Sequence, residues 1–188
     1  MDPISVYKRA IDQTGRIVSA VKSDQLGDPT PCAGWDLRTL LNHTIAVANA
    51  FGGAARGEPF DPTPFGERVD NLGADAGAAY ATAAKEIHDA LGRPDVLEGS
   101  WFMPFGEVPA DAAMAFATLE LAQHGWDVAK ATGQSRDFDP EVTEVAMSAA
   151  QAAPADLVRN PGVFGPESDC PERAPLQDRL AAFLGRNV

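Results

Sequence analysis

The chain has 188 residues, 45% of them hydrophobic, which supplies one sizeable core and not two. Its formal charge of -12, from 27 acidic against 15 basic residues, repels phosphate backbones and anionic lipid head groups, so no nucleic acid and no membrane is expected as a partner. Cys32 and Cys170 are too few for a disulfide scaffold, and the N-terminus has no apolar signal region, so a cytoplasmic protein with reduced thiols is expected.

Long Ala- and Leu-rich stretches, with few runs of Val, Ile or Thr, predict an all-α fold. Asp2 and Pro3 start a helix running to about Gln25, with Val6, Ala10, Thr14, Ile17 and Val21 near one face. The turn-rich stretch GDPTPCAGW leads to a second helix, about Asp36 to Arg56, on which Leu40, His43, Val47 and Ala50 recur at helical spacing. A third helix is expected from about Glu67 to Leu91, with Gly73 and Gly77 letting a neighbour approach. Val96, Leu97, Trp101, Phe102, Met103 and Phe105 are too apolar for a solvated loop and predict a short hairpin or lid. A fourth helix begins near Pro109 or Ala110 and ends at Gly133, and a fifth, capped by Asp139, runs to about Leu157. The expected organisation is a helical bundle over residues 1–160 and a tail over 161–188 with one short helix packed on it.

Glu120 and His124 lie four apart, and so on one helix face, within an apolar stripe of Ala113, Phe116, Ala117, Leu121, Val128 and Ala131. An inward carboxylate costs several kcal/mol unless it is paired, neutralised or metal-bound. His43, between Leu40 and Val47, makes the same argument on the second helix. Two histidines and a carboxylate suit zinc, and also nickel, iron or manganese, and three protein ligands leave a position open. The alternatives are a surface Glu/His pair and a hydrogen-bonded core histidine. His88, among charged residues, reads as solvated, and Asp127, one turn from His124, as a surface carboxylate or a partner of that histidine. Trp35 reads as an anchor at the start of the second helix and Trp126 as packing or pocket wall. Cys32 reads as packing or as a reactive thiol at the site's mouth, and Cys170 as incidental.

The segment TPCAGWDLRTLLNHT, residues 30–44, resembles the start of the second helix in the mycothiol-dependent maleylpyruvate isomerase-like group of the DinB/YfiT-like metal-binding superfamily. The matching residues are Thr30, Pro31, Cys32, Trp35, Leu40, Leu41 and His43. HGWDVAKATG, residues 124–133, with Glu120 before it, is similar to that family's fourth helix, and residues 162–186 to the ending of an actinobacterial branch. The resemblance implies a DinB-like four-helix core with a short extended segment and a small C-terminal appendage. It implies a divalent metal held by His43, Glu120 and His124, zinc as in the isomerase, with nickel open here. It implies mycothiol as cofactor, a small electrophilic substrate, and a monomer or homodimer. The isomerase itself carries a larger C-terminal domain with a catalytic arginine, whereas this tail offers Arg159 and Arg173, neither of which matches it.

The expected function is therefore a divalent-metal-binding, mycothiol-dependent transferase or isomerase, the metal lowering the pKa of a bound thiol. The alternatives are a metal-dependent hydrolase or a non-catalytic metal- or ligand-binding protein. A cavity of several hundred Å3 lined by Trp101, Phe102 or Phe105 would favour a substrate, and a sealed metal would favour a structural role.

Overall fold

Asp2 opens the first helix, accepting hydrogen bonds from the backbone N–H groups of Ile4 and Ser5, with Pro3 in the first turn. The computed structural model describes residues 2–66, 69–154 and 164–188. Helix α1 is Pro3–Ser19 and stops short of the expected Gln25. Lys22 is extended and its N–H donates to Gln25 Oε1 at 3.0 Å, so residues Ser23–Gln25 form a separate 3-10 turn. Helix α2, Leu37–Ala55, is capped by Asp36, which accepts from the Thr39 N–H at 2.8 Å. Helix α3 is Ala76–Ala90 and starts later than expected, because Gly73 adopts a left-handed φ of +58° and Asp75 provides the cap. Glu67, the expected start, lies outside the described residues.

Strands β1, Ser100–Met103, and β2, Gly106–Pro109, form an antiparallel hairpin that pairs Trp101 with Val108. Helix α4, Ala110–Thr132, follows directly and ends at Gly133, whose φ of +68° satisfies the last carbonyls. Helix α5 is Pro140–Ala152, capped by Asp139, and the expected extension to Leu157 falls outside the described residues. Helix α6, Leu176–Phe183, lies in the tail. The fold is thus mostly helical with one small sheet, so the all-α expectation needs the hairpin added to it.

Helix α4 is the central element, packed against α1, α2, α5 and α6. Every residue from Ala117 to Ala129 is buried, so this helix has no solvent face along that stretch. Gly125 permits the close crossing with α1: a Cβ there would stand 3.0 Å from Thr14 Oγ1, which donates to the Leu121 carbonyl at 2.9 Å. Gly77 serves the same purpose between α3 and α1, where a Cβ would meet Ser19 Cα at 3.1 Å, whereas Gly73 faces nothing within 4 Å. A second apolar cluster, including Val6, Leu119, Val142, Phe164, Leu180 and Leu184, fastens the tail to α4 and α5. Among the described residues, no helix is long and apolar enough to cross a membrane.

Candidate metal centre

Helices α2 and α4 bring His43, Glu120 and His124 together. One ligand atom from each lies within 4.8 Å of the others. Glu120 and His124 share a face of α4, with Oε2 of Glu120 3.4 Å from Nε2 of His124. The His43 and His124 rings meet edge to face, centroids 4.9 Å apart. His43 also touches the rings of Trp35 and Phe65, at 4.9 and 5.7 Å. Trp35, expected as an anchor, is therefore part of the site wall. His43 is half-buried rather than fully inside, because cavities open on both sides of it.

Electrostatics distinguish the two histidines. Burial, aided by the charge of His124 and only partly offset by Glu120, pushes His43 down to about 4, so its imidazole is neutral at pH 7. For His124, burial opposes protonation, but its interactions with Asp127, Cys32 and Glu120 outweigh that and hold it well above the ordinary histidine range. The surroundings of His124 thus favour a positive charge, which a proton or a metal ion can supply.

Behind His124 lies a polar layer that sequence reasoning read only in part. Asp127 is fully buried, not on the surface, with Oδ2 3.4 Å from His124 Nδ1. Arg186, from the tail, grips it with two hydrogen bonds: Nε to Oδ1 at 3.0 Å and Nη2 to Oδ2 at 3.1 Å. Gln123 Nε2 adds a third at 3.1 Å. Cys32 Sγ donates to Asp127 Oδ2 at 3.2 Å and accepts from Arg186 Nη2 at 3.3 Å. Burial opposes ionisation of Asp127, yet His124 and Arg186 hold its carboxyl below the usual range. Burial pushes the Cys32 thiol up, and its Sγ is held between Asp127 and Arg186 in this layer.

Cys32, His124 and Asp127 form a second group with metal-ligand spacing. It shares His124 with the first, and its carboxylate is already matched by the Arg186 cation. Glu120 has no such cationic partner beyond His124 among the described residues. The first group is therefore the better fit to a divalent ion: two imidazoles and a carboxylate, with His43 making no hydrogen bond among the described residues that a metal would have to displace.

The remaining expected residues sit elsewhere. His88 Nε2 pairs with Asp12 Oδ1 at 2.8 Å on the outer surface. Trp126 is buried and donates to Asp178 Oδ1 at 2.8 Å, under the cations of Lys130 and Arg136, so it fastens α6 to α4 rather than lining the site. Trp101 is buried and donates to the Val96 carbonyl at 3.2 Å, away from the cavities, while Phe102 and Phe105 line one of them. Arg173 is exposed, and Arg159 lies outside the described residues. Arg186 was missed because nothing in its local sequence, LGRNV, marks it as buried.

The family model described as mycothiol maleylpyruvate isomerase N-terminal domain matches residues 7–129. Two uncharacterized proteins of Mycobacterium tuberculosis, from strains CDC 1551 and H37Rv, are each 37% identical over 189 residues, covering all of this chain and all of theirs. The crystal structure of the mycothiol-dependent maleylpyruvate isomerase superposes with a TM-score of 0.59 at 17% identity, over 80% of this chain and 67% of that one. A histidine-to-alanine mutant of that isomerase superposes with a TM-score of 0.57, also at 17% identity and with the same coverage. At that identity the superposition shows the fold alone, while the family model spans most of the chain. The chain belongs to the mycothiol maleylpyruvate isomerase family, through that family's N-terminal domain.

Proposed function

We propose that His43, Glu120 and His124 hold one divalent metal ion, zinc being the best fit to the donors, in a DinB-like four-helix core formed by α1 to α4. We propose further that the chain is a thiol-dependent transferase or isomerase with mycothiol as its thiol. The observation that carries this reading is a three-donor cluster flanked by two cavities that meet at His43. Three protein donors leave room for a further ligand, which suits a catalytic site better than a structural one. When bound, such an ion lowers the pKa of a coordinated thiol.

The chain's own residues have separable duties in this reading. His43 stays neutral and available as a donor. Asp127, fixed by Arg186, orients the His124 ring from behind. Helix α2 and the hairpin keep solvent from part of the site through Val47, Phe51 and Phe102. In the reaction, the thiol sulfur bonds to an electrophilic carbon and its proton passes to solvent. A transferase then releases a leaving group with its electron pair. An isomerase instead adds the sulfur to a conjugated double bond, whose electron pair moves onto the neighbouring carbonyl as an enolate; after rotation the enolate re-forms the double bond and expels the thiolate, which regains a proton from solvent. Hydrolysis fits less well, because Asp127 is committed to Arg186 and Gln123 and is no free general base.

The test is a mycothiol-binding titration on protein with full metal occupancy, followed by assay against a panel of activated alkenes and aryl halides. Thiol binding that disappears in His43→Ala is expected. A fully metallated protein that neither binds nor consumes mycothiol would refute the thiol reading.

A further inference from the structure

The two cavities that meet at His43 differ in chemistry. One, of about 200 Å3, is walled by Val47, Phe51, Phe65, Phe102, Phe105 and Phe116, among others. Its only ionisable lining groups are His43 and Glu120, both in the candidate metal cluster, and it has no lysine or arginine among the described residues. The other, of about 420 Å3, is lined by Arg38, Thr39, Asn42 and Asp70 beside Trp35. Phe102 and Phe105 are 38% and 46% exposed, in and just after β1, and form the outer rim of the apolar cavity. Phe105 meets Phe116 edge to face with centroids 5.5 Å apart.

We infer that the apolar cavity binds the electrophilic substrate, and that this substrate is a small, uncharged, apolar molecule, aromatic or short-chain, rather than a dicarboxylate. This rests on the proposed thiol chemistry for what happens at the cavity's floor, though not for what binds there. The proposed metal ion would lie at the floor with its charge partly met by Glu120, so a dianion would lose its hydration along walls that offer no lysine or arginine among the described residues, in a chain of net charge -12. An uncharged ring covers apolar surface and exposes its reactive carbon to the floor, the arrangement expected of a small-ligand pocket with few polar groups. The polar groups across His43 suit the thiol's carrier portion, so the two reactants approach the cluster from opposite sides. A cavity of this size excludes a peptide helix or a second protein.

The test uses 4-fluorobenzyl alcohol, an uncharged and unreactive probe, followed by fluorine NMR on both metal-free and metal-loaded protein. Saturable binding to one site per chain is expected, with displacement by benzyl alcohol and, on the metal-free protein, none by maleate. Ala50→Trp, at a half-buried cavity position, is expected to weaken probe binding about tenfold by filling the space. Phe105→Ala, at the exposed rim, is a milder second variant, expected to weaken it about threefold. Lys85→Gln, on the exposed face of α3 and lining neither cavity, is expected to leave probe binding unchanged. Equal displacement by maleate on the metal-free protein, undiminished binding in both cavity variants, or no saturable binding would overturn the inference. Metal and mycothiol binding, measured separately, report on the proposed thiol chemistry, so either reading can fail alone.

Discussion

Replacing Arg186 with Met removes the guanidinium that grips Asp127, a carboxylate with no exposed surface. Two hydrogen bonds, at 3.0 and 3.1 Å, vanish, and the Gln123 amide, the Cys32 thiol and His124 remain as its polar neighbours. Breaking a buried ion pair from one side costs about 3–5 kcal/mol, a large share of the ~5–15 kcal/mol stability of an ordinary domain. Arg186→Lys is expected to recover only part of the loss, because an ammonium cannot reproduce the planar two-point grip. The pH dependence has a definite sign. With its folded pKa held below that of the unfolded chain, Asp127 contributes stability above the unfolded value and loses it as pH falls through the folded value. Without Arg186 that loss moves to higher pH. Urea unfolding of the metal-free protein by circular dichroism, with Asp127→Asn completing a double-mutant cycle, measures the coupling. Metal affinity is expected to fall about 10- to 100-fold in the same variant, because His124 loses its fixed orientation. A stability loss below about 1 kcal/mol for Arg186→Met would refute the reasoning.

The two histidines predict opposite pH slopes in the metal-free protein. His43, with a folded pKa of about 4 against 6.5, gives stability that is present above pH 6.5 and lost toward pH 4, on the order of 3 kcal/mol. His124, raised above 6.5, gives stability present below pH 6.5 and lost as pH rises through its folded value. Their combined contribution peaks near pH 6.5, and His43→Gln should flatten the acid side in urea melts at pH 5 to 6.5; stability that rises on acidification across that range would contradict this. Gly125→Val should destabilise by about 1–3 kcal/mol in thermal melts, since even a Cβ crowds Thr14 Oγ1 at 3.0 Å; an unchanged melting temperature would show that α1 can give way. Timed labelling with iodoacetamide should modify Cys170 well before the buried Cys32, and the reverse order would mean that the polar layer opens readily.

Local signals carried most of the element boundaries, because Asp2, Asp36 and Asp139 cap the helices they precede and Gly133 ends α4. The first helix was read too long because the Gln25 side chain binds the Lys22 N–H, a local bond that periodicity does not register. Glu120 and His124 were legible from their spacing and apolar neighbours, although α4 turns out to be buried on all sides through this stretch. A stripe within such a helix marks which residues point together and not which point inward. His43 needed the resemblance as well as its spacing. Asp127 has no partner visible in the nearby sequence; that partner, Arg186, lies 59 residues further along, just past the tail helix, with no local mark of burial. Long-range polar pairs of this kind follow from how the tail folds back on α4 and α5, through Leu180 and Leu184, which no local pattern encodes.

The most direct measurement of the proposed centre is metal content by plasma mass spectrometry on protein purified without a metal-affinity tag, with His43→Ala, Glu120→Ala and His124→Ala beside it. One divalent ion per chain in the native protein, lost or bound at least about 100-fold more weakly in each variant that still folds, is the expected result. A His124→Ala protein that keeps one tightly bound ion, or a native protein that takes up none from added zinc, would contradict the assignment.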